Sequence, residues 1–239
     1  MQKGAVWLSR GRNTQRLRRV KRALQVGDEL HLYYDPKVLD EVAVEPELIA
    51  DVGEYSVWNK PFGLRSQGSK WGDHCTITRW AEQHLSPERP AFTVHRLDRA
   101  ANGLILVAHS KTMASSLSKL FSERKIEKRY LARVHGDFSA LASPTRVQRD
   151  IDGKHAVSEF TLREFDSESA QSLLDVSIET GRKHQVRRHL EYLGYPIVGD
   201  RLYGNATAKD VNLQLTACRL AFVCPVQQRH VCYELPGHS

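Results

Sequence analysis

Apolar and polar residues alternate with period two in many short stretches of this chain, and three other stretches repeat with the helical period. Gly4–Leu8 and Glu29–Tyr34 read as strands, with a turn at Val26-Gly27-Asp28 before the second. Tyr55–Trp58 reads as a strand that runs into a Lys60-Pro61-Phe62-Gly63 turn. Gly103–Ala108 is a continuous apolar run, the pattern of a strand buried on both faces. Tyr130–Val134, Ser172–Ile178, Leu213–Val223 and His230–Leu235 complete the predicted strands.

Ile77–His84 predicts a short helix. Lys111–Arg124 predicts an amphipathic one, with Met113, Leu117, Leu120 and Phe121 on one face. Gln185–Leu193 lines up Val186, Leu190 and Leu193, and Gly194 stands where a helix ends. Residues 35–50 mix Pro, acids and isolated apolar side chains, as in a linker. Strands outnumber helices and do not alternate with them regularly. The expected fold is α+β: a mixed, mostly antiparallel sheet with flanking helices. Its expected organisation is a basic N-terminal element (1–40), a linker (41–50) and a main domain (51–239).

Composition alters this picture little. With 239 residues, 41% hydrophobic and 26% charged, the chain is ordinary globular protein, neither disordered nor fibrous. The apolar run at 103–108 falls far short of the roughly 20 residues of a membrane span. The N-terminus has no apolar signal region.

Charge distribution alters it more. Residues 1–24 hold eight basic side chains and no acid, while the other 215 hold 27 basic and 28 acidic. Such a patch has the footprint of a phosphate-backbone binder, and Arg10, Arg12, Arg18 and Arg19 are candidate contacts. A solvated tail or an Arg-rich transit segment shares this composition. Cys75, Cys218, Cys224 and Cys232 form no C-x-x-C pair, and His184 and His189 are five apart rather than four. No metal is expected, and the thiols suit a reducing cytoplasm.

Three clusters could carry chemistry. Thr93–Arg99 sets Asp98 among His95, Arg96 and Arg99, and a positioned carboxylate is a candidate nucleophile or general base. A surface ion pair is the plainer reading of those seven residues alone. Glu179–His189 reads as a Thr-Gly turn opening a helix rich in Arg182, Lys183, His184, Arg187 and Arg188. Cations at a helix start oppose its dipole unless an anion is present. Glu127–Val134 puts Tyr130, Ala132 and Val134 on one strand face. Tyr130 there is either a core residue or a stacking platform for a base.

In order along the chain, these pieces resemble the RluA-type pseudouridine synthases. The matching stretches are Asn59–Leu64, His95–Arg99 followed by Gly103–Ala108, Lys128–Ala132, Thr180–Arg187 and Gly194–Gly204. The resemblance implies a pseudouridine synthase fold and an isomerase of ribosomal or transfer RNA that needs no cofactor. It implies Asp98 as the catalytic aspartate, Arg187 as its basic partner and Tyr130 as the active-site tyrosine. It also implies that Arg96 holds the flipped nucleotide and that Leu215 walls the pocket. Lys60, Arg182, Lys183 and His184 join them as expected RNA contacts.

The chain differs from the family pattern in three places. Ala100-Ala101-Asn102 follows Asp98-Arg99 where Thr and Ser are usual, and Thr216 replaces a His. The N-terminus resembles only the second half of an S4 RNA-binding module. The expected protein is a cytoplasmic monomer whose partner is RNA. The alternative reading is a catalytically silent RNA-binding or assembly factor on the same fold. A carboxylate-based glycosidase would need a second acid near these motifs, and none matches.

Overall fold

The apolar run around Leu104 forms β7 (Asn102–Ala108), buried from Gly103 onward. A strand without a wet face belongs in the middle of a covered sheet, and β7 lies between neighbours in a ten-stranded one. The computed structural model describes residues 1–18, 21–204 and 211–237. On one side of β7 are β5 (Tyr55–Lys60) and then the edge strand β4 (Glu47–Asp51). On the other side are β12 (Leu215–Val223), β8 (Glu127–His135), β11 (Gln171–Ile178), β10 (Val157–Asp166) and β9 (Thr145–Gln148). β6 (Phe92–Thr93) also pairs with β7, and β13 (His230–Glu234) with β12.

Among the described residues, every pairing in this sheet is antiparallel except β7 with β12, which share the pairs Asn102–Thr216 and Gly103–Ala217. Gly103 makes that contact possible. Its φ is +111°, and a Cβ there would stand 2.3 Å from the Ala217 carbonyl oxygen.

Among the described residues, three helices cover the sheet. α2 (Ile77–His84) is capped by Thr76, whose hydroxyl accepts from Arg79 N at 3.1 Å. α3 (Lys111–Ser122) is capped by Ser110 and buries Met113 and Leu117. α4 (Gln185–Tyr192) packs Val186 and Leu190 against Ala132, Val134, Phe160 and Leu174. These helices and the mixed sheet make the expected α+β fold.

The N-terminal residues form a separate antiparallel sheet in the order β2 (Asn13–Arg16), β1 (Val6–Arg10), β3 (Glu29–Leu32). It contacts the main body through Trp7 Nε1, which donates to Lys70 O at 2.9 Å, and Arg16 Nη2, which donates to Ser69 O at 2.8 Å. The linker expectation for 35–50 needs correcting. Asp35 caps the single turn α1 (Pro36–Leu39), and Glu47–Asp51 is a paired strand of the large sheet. As an edge strand it is half exposed, so its apolar pattern is thin.

Candidate active site

Asp98 lies on the loop between β6 and β7, and that loop is fixed on both sides of it. Buried Ser66 donates to Leu97 O at 2.7 Å and accepts from Leu97 N at 3.0 Å. Lys60 Nζ donates to Ala101 O at 2.6 Å, Leu64 O at 2.9 Å and Pro61 O at 3.0 Å. Lys60 is therefore not on an RNA-facing surface as expected. It is fully buried, and all three of its N–H groups are used inside the protein. Burial draws its pKa down to about 7.

The cations next to Asp98 in sequence do not serve it. Arg99 turns away to Glu41 at 3.2 Å and Gly63 O at 3.0 Å. His95 accepts from Leu106 N at 2.9 Å and stacks on Phe121, and burial lowers its pKa to about 3, so it is neutral. The cation that meets Asp98 is Arg187, whose Nη1 donates to Asp98 Oδ2 at 3.2 Å.

Arg187 is 3% exposed. A guanidinium that buried needs charge balance. Asp200 supplies most of it, accepting from Nε at 2.8 Å and Nη2 at 2.7 Å. Asp200 also accepts from Leu202 N and Tyr203 N at 2.9 and 3.1 Å. Burial alone would raise the Asp200 pKa. The Arg187 bonds and the two backbone donors outweigh it and lower the net value. Burial likewise opposes the Arg187 charge, and the Asp200 and Asp98 bonds reverse that into a raised pKa. Sequence reasoning gave Asp200 no role. The signal was its place after Gly199, whose φ is +78° and whose Cβ would lie 2.4 Å from Asn212 O.

α4 starts at Gln185, as the apolar spacing of Gln185–Leu193 predicts, but the expectation that Arg182 and Lys183 belong to its first turns is corrected. His184 before it is in a left-handed conformation (φ +55°), so Arg182 and Lys183 precede the helix. Gln185 Oε1 accepts from Thr180 Oγ1 at 2.7 Å and Arg182 N at 3.0 Å, and its amide nitrogen donates to Val157 O at 2.8 Å. Among the described residues the protein supplies anions to this cationic stretch itself: Asp98 and Asp200 on Arg187, and the exposed Asp152 on Arg188 at 2.9 Å.

A cavity of about 580 Å³ opens over Asp98, lined among others by Arg96, Lys128, Tyr130, Arg182 and Lys183. A smaller hollow of about 90 Å³ continues inward and is lined by Asp98, Tyr130, His184, Arg187 and Leu215. Tyr130 and Leu215 come from the paired strands β8 and β12. Burial, and then the Asp98 charge, raises the Tyr130 pKa, so its phenol keeps its proton. His184 shares a 2.9 Å hydrogen bond with the Tyr203 hydroxyl and lies 3.7 Å from Asp98 Oδ1. Burial lowers its pKa. Arg96 is exposed at the rim, and Arg182 Nε donates to His155 O at 3.0 Å.

The expected N-terminal contacts lie apart from this cavity, and some are already paired. Asp28 binds Arg10 through two 2.7 Å bonds, and Arg18 holds Asp73. Arg12 is exposed, and Arg19 lies outside the described residues.

Residues 54–192 match the sequence model of the family described as RNA pseudouridylate synthase. The dual-specificity RNA pseudouridine synthase RluA of Salmonella typhimurium is 33% identical over 196 residues, covering 76% of this chain and 88% of the relative. An uncharacterized RNA pseudouridine synthase of Aquifex aeolicus is 31% identical over 218 residues, 80% of this chain and 67% of the relative. The solved structure of human RNA Pseudouridylate Synthase Domain Containing 1 shares the fold. Its TM-score is 0.67 at 22% identity, over 80% of this chain and 84% of that one. The family match covers more than half of the chain and includes Asp98, Tyr130 and Arg187, so the chain belongs to the RluA-type RNA pseudouridine synthases, which are isomerases.

Proposed function

We propose that Asp98 carries out uridine isomerisation on a nucleotide flipped out of ribosomal or transfer RNA. The observation that carries this reading is the 3.2 Å approach of Arg187 to Asp98 beside a hollow that Tyr130 and Leu215 line. In the reaction the N1–C1′ bond breaks, the base turns, C5 joins C1′, and the C5 proton leaves while N1 gains one. No redox change or phosphate donor is needed. A detached base must stay shielded from water, which suits a narrow inner hollow. Attack by the carboxylate at C1′ or C6, or removal of the 2′ proton, would each use Asp98.

Around it, Tyr130 offers a ring for the extruded base and a protonated hydroxyl for proton transfer. Arg187 is a fixed cation beside the carboxylate. Arg96, Arg182, Lys183 and His184 are proposed RNA or substrate contacts at the rim. The N-terminal sheet is a proposed accessory RNA-contacting element of S4-like kind. Among the described residues, no helix is long and apolar enough to cross a membrane.

The test is tritium release from RNA labelled at uridine C5. Release by the wild type and none by Asp98→Asn is expected. No wild-type release from any cellular RNA would favour the silent RNA-binding reading. Mapping pseudouridines in total RNA with and without the gene would identify the target.

A further inference from the structure

The outer half of the cavity carries charge that the Asp98 chemistry does not use. Ser118, Phe121 and Ser122 from the end of α3, Arg124 from the turn that follows it and Lys128 from β8 form that wall. Lys128 is half-buried and Arg124 exposed, and among the described residues neither makes an ion pair or a side-chain hydrogen bond. Basic residues do collect at helix C-termini for dipole reasons. Here that explanation covers only part of the set: Lys119 and Lys125, at the same helix end, are both paired with Glu123 at 3.7 and 2.8 Å.

Arg124 and Lys128 are left unneutralised over a cavity. Burial and the nearby Arg124 lower the Lys128 pKa, as befits a desolvated cation without a counter-ion. The acids lining the cavity among the described residues are Asp98 and Glu179. Asp98 is held by Arg187, and Glu179 pairs with Arg146 at 2.6 Å.

We infer that Arg124 and Lys128 form a phosphate-binding subsite that grips the RNA backbone next to the flipped uridine. This rests on reading the inner hollow as the uridine site. The spacing supports it. Lys128 and Tyr130 are two residues apart on β8 and share a strand face, so their side chains start about 6.8 Å apart. A base against Tyr130 leaves its own sugar–phosphate within reach of Lys128. The backbone grip would help offset the few kcal/mol that base flipping costs.

The test measures binding of fluorescein-labelled bulk transfer RNA to Asp98→Asn protein across a salt series, so turnover does not enter. Adding Arg124→Gln and Lys128→Gln is expected to reduce the slope of log K against log salt by roughly 0.7 for each lost phosphate contact. Lys128→Arg is expected to keep the slope. Lys119→Gln with Lys125→Gln, whose charges Glu123 already neutralises, is expected to leave it nearly unchanged. Circular dichroism checks that each variant is folded. An unaltered slope in Arg124→Gln/Lys128→Gln, or an equal fall in the Lys119/Lys125 control, would overturn the subsite. Tritium release by the wild type is independent of this outcome, so the catalytic reading and the subsite fail separately.

Discussion

The N-terminal sheet and the central cavity handle positive charge in opposite ways. By sequence, residues 1–24 are the positive region, with eight cations and no acid. In the fold, Arg10 is held by Asp28, and Arg16 and Arg18 both face Asp73. In the cavity, Arg187 is buried and balanced by two carboxylates, while Arg96, Arg124, Lys128 and Lys183 at its rim make no ion pair among the described residues. Available charge is therefore decided by long-range pairing, not by local counts. One region uses Arg10 to brace itself and Arg16 and Arg18 to dock on the main body, and the other keeps its rim cations free around a carboxylate.

The comparison breaks most sharply at Arg187. Arg187→Ala removes the partner of Asp98 and leaves Asp200 buried without one. Turnover in the tritium assay is expected to fall by at least about a hundredfold. Stability is expected to fall by about 3–5 kcal/mol, the usual effect of stranding one half of a buried pair. Binding of transfer RNA by the folded variant should change little. Equal losses of binding and turnover would count against an ion-pair role.

The second effect is on the joint that carries the loop. Gly103→Ala forces a side chain at φ +111° into the Ala217 backbone. Strain of this kind costs about 1–3 kcal/mol before the clash is counted. Urea unfolding should register at least that much, with lower activity because β7 and the Asp98 loop shift together. A variant as stable as wild type would mean that β7 and β12 are not locked there.

These two sites also show what was legible in the sequence. α2 was readable to the residue and α3 nearly so, because their caps and apolar faces are local. β7 was readable because a run of buried residues needs no partner to be noticed. Where the deciding contact is distant, reading failed. Lys60 looked like a surface cation, yet its acceptors include a carbonyl 41 residues away. His95 and Arg99 looked like partners of Asp98, and the folded chain sends both elsewhere. Asp98 and Arg187 stand out by motif with a role attached, whereas Asp200, which neutralises most of that arginine, lies inside the matching Gly194–Gly204 stretch with nothing local to say which cation it meets.

A smaller, pH-dependent effect sharpens the role of Asp200. Its folded pKa is below its ordinary value, so its stabilising contribution is complete above the unfolded carboxylate pKa, roughly 4. It is lost as pH falls through the folded value. Wild type should therefore lose stability faster than Asp200→Asn on acidification below about pH 4, and the gap between them should be constant from about pH 5 to 7. Other paired acids such as Glu41 titrate in both proteins and cancel in the difference. A gap that opens only above pH 5 would have the wrong sign for a carboxylate held charged.

The smallest effect expected is at the N-terminus. Arg12 and Lys21 are exposed and make no ion pair among the described residues, whereas Arg10 and Arg18 are occupied. If the small sheet is an accessory RNA contact, Arg12→Gln with Lys21→Gln should lower the salt slope of transfer RNA binding, by no more than the rim pair Arg124→Gln/Lys128→Gln does. Arg10→Gln should lower it less, because Asp28 already takes that charge; its main result should be a looser β1–β3 sheet, since Asp28 sits in the turn that leads into β3. Deleting residues 1–34 removes the whole element and sets the upper limit. A slope unchanged by that deletion would show that the most basic stretch of the sequence makes no phosphate contact, its unpaired Arg12 and Lys21 included.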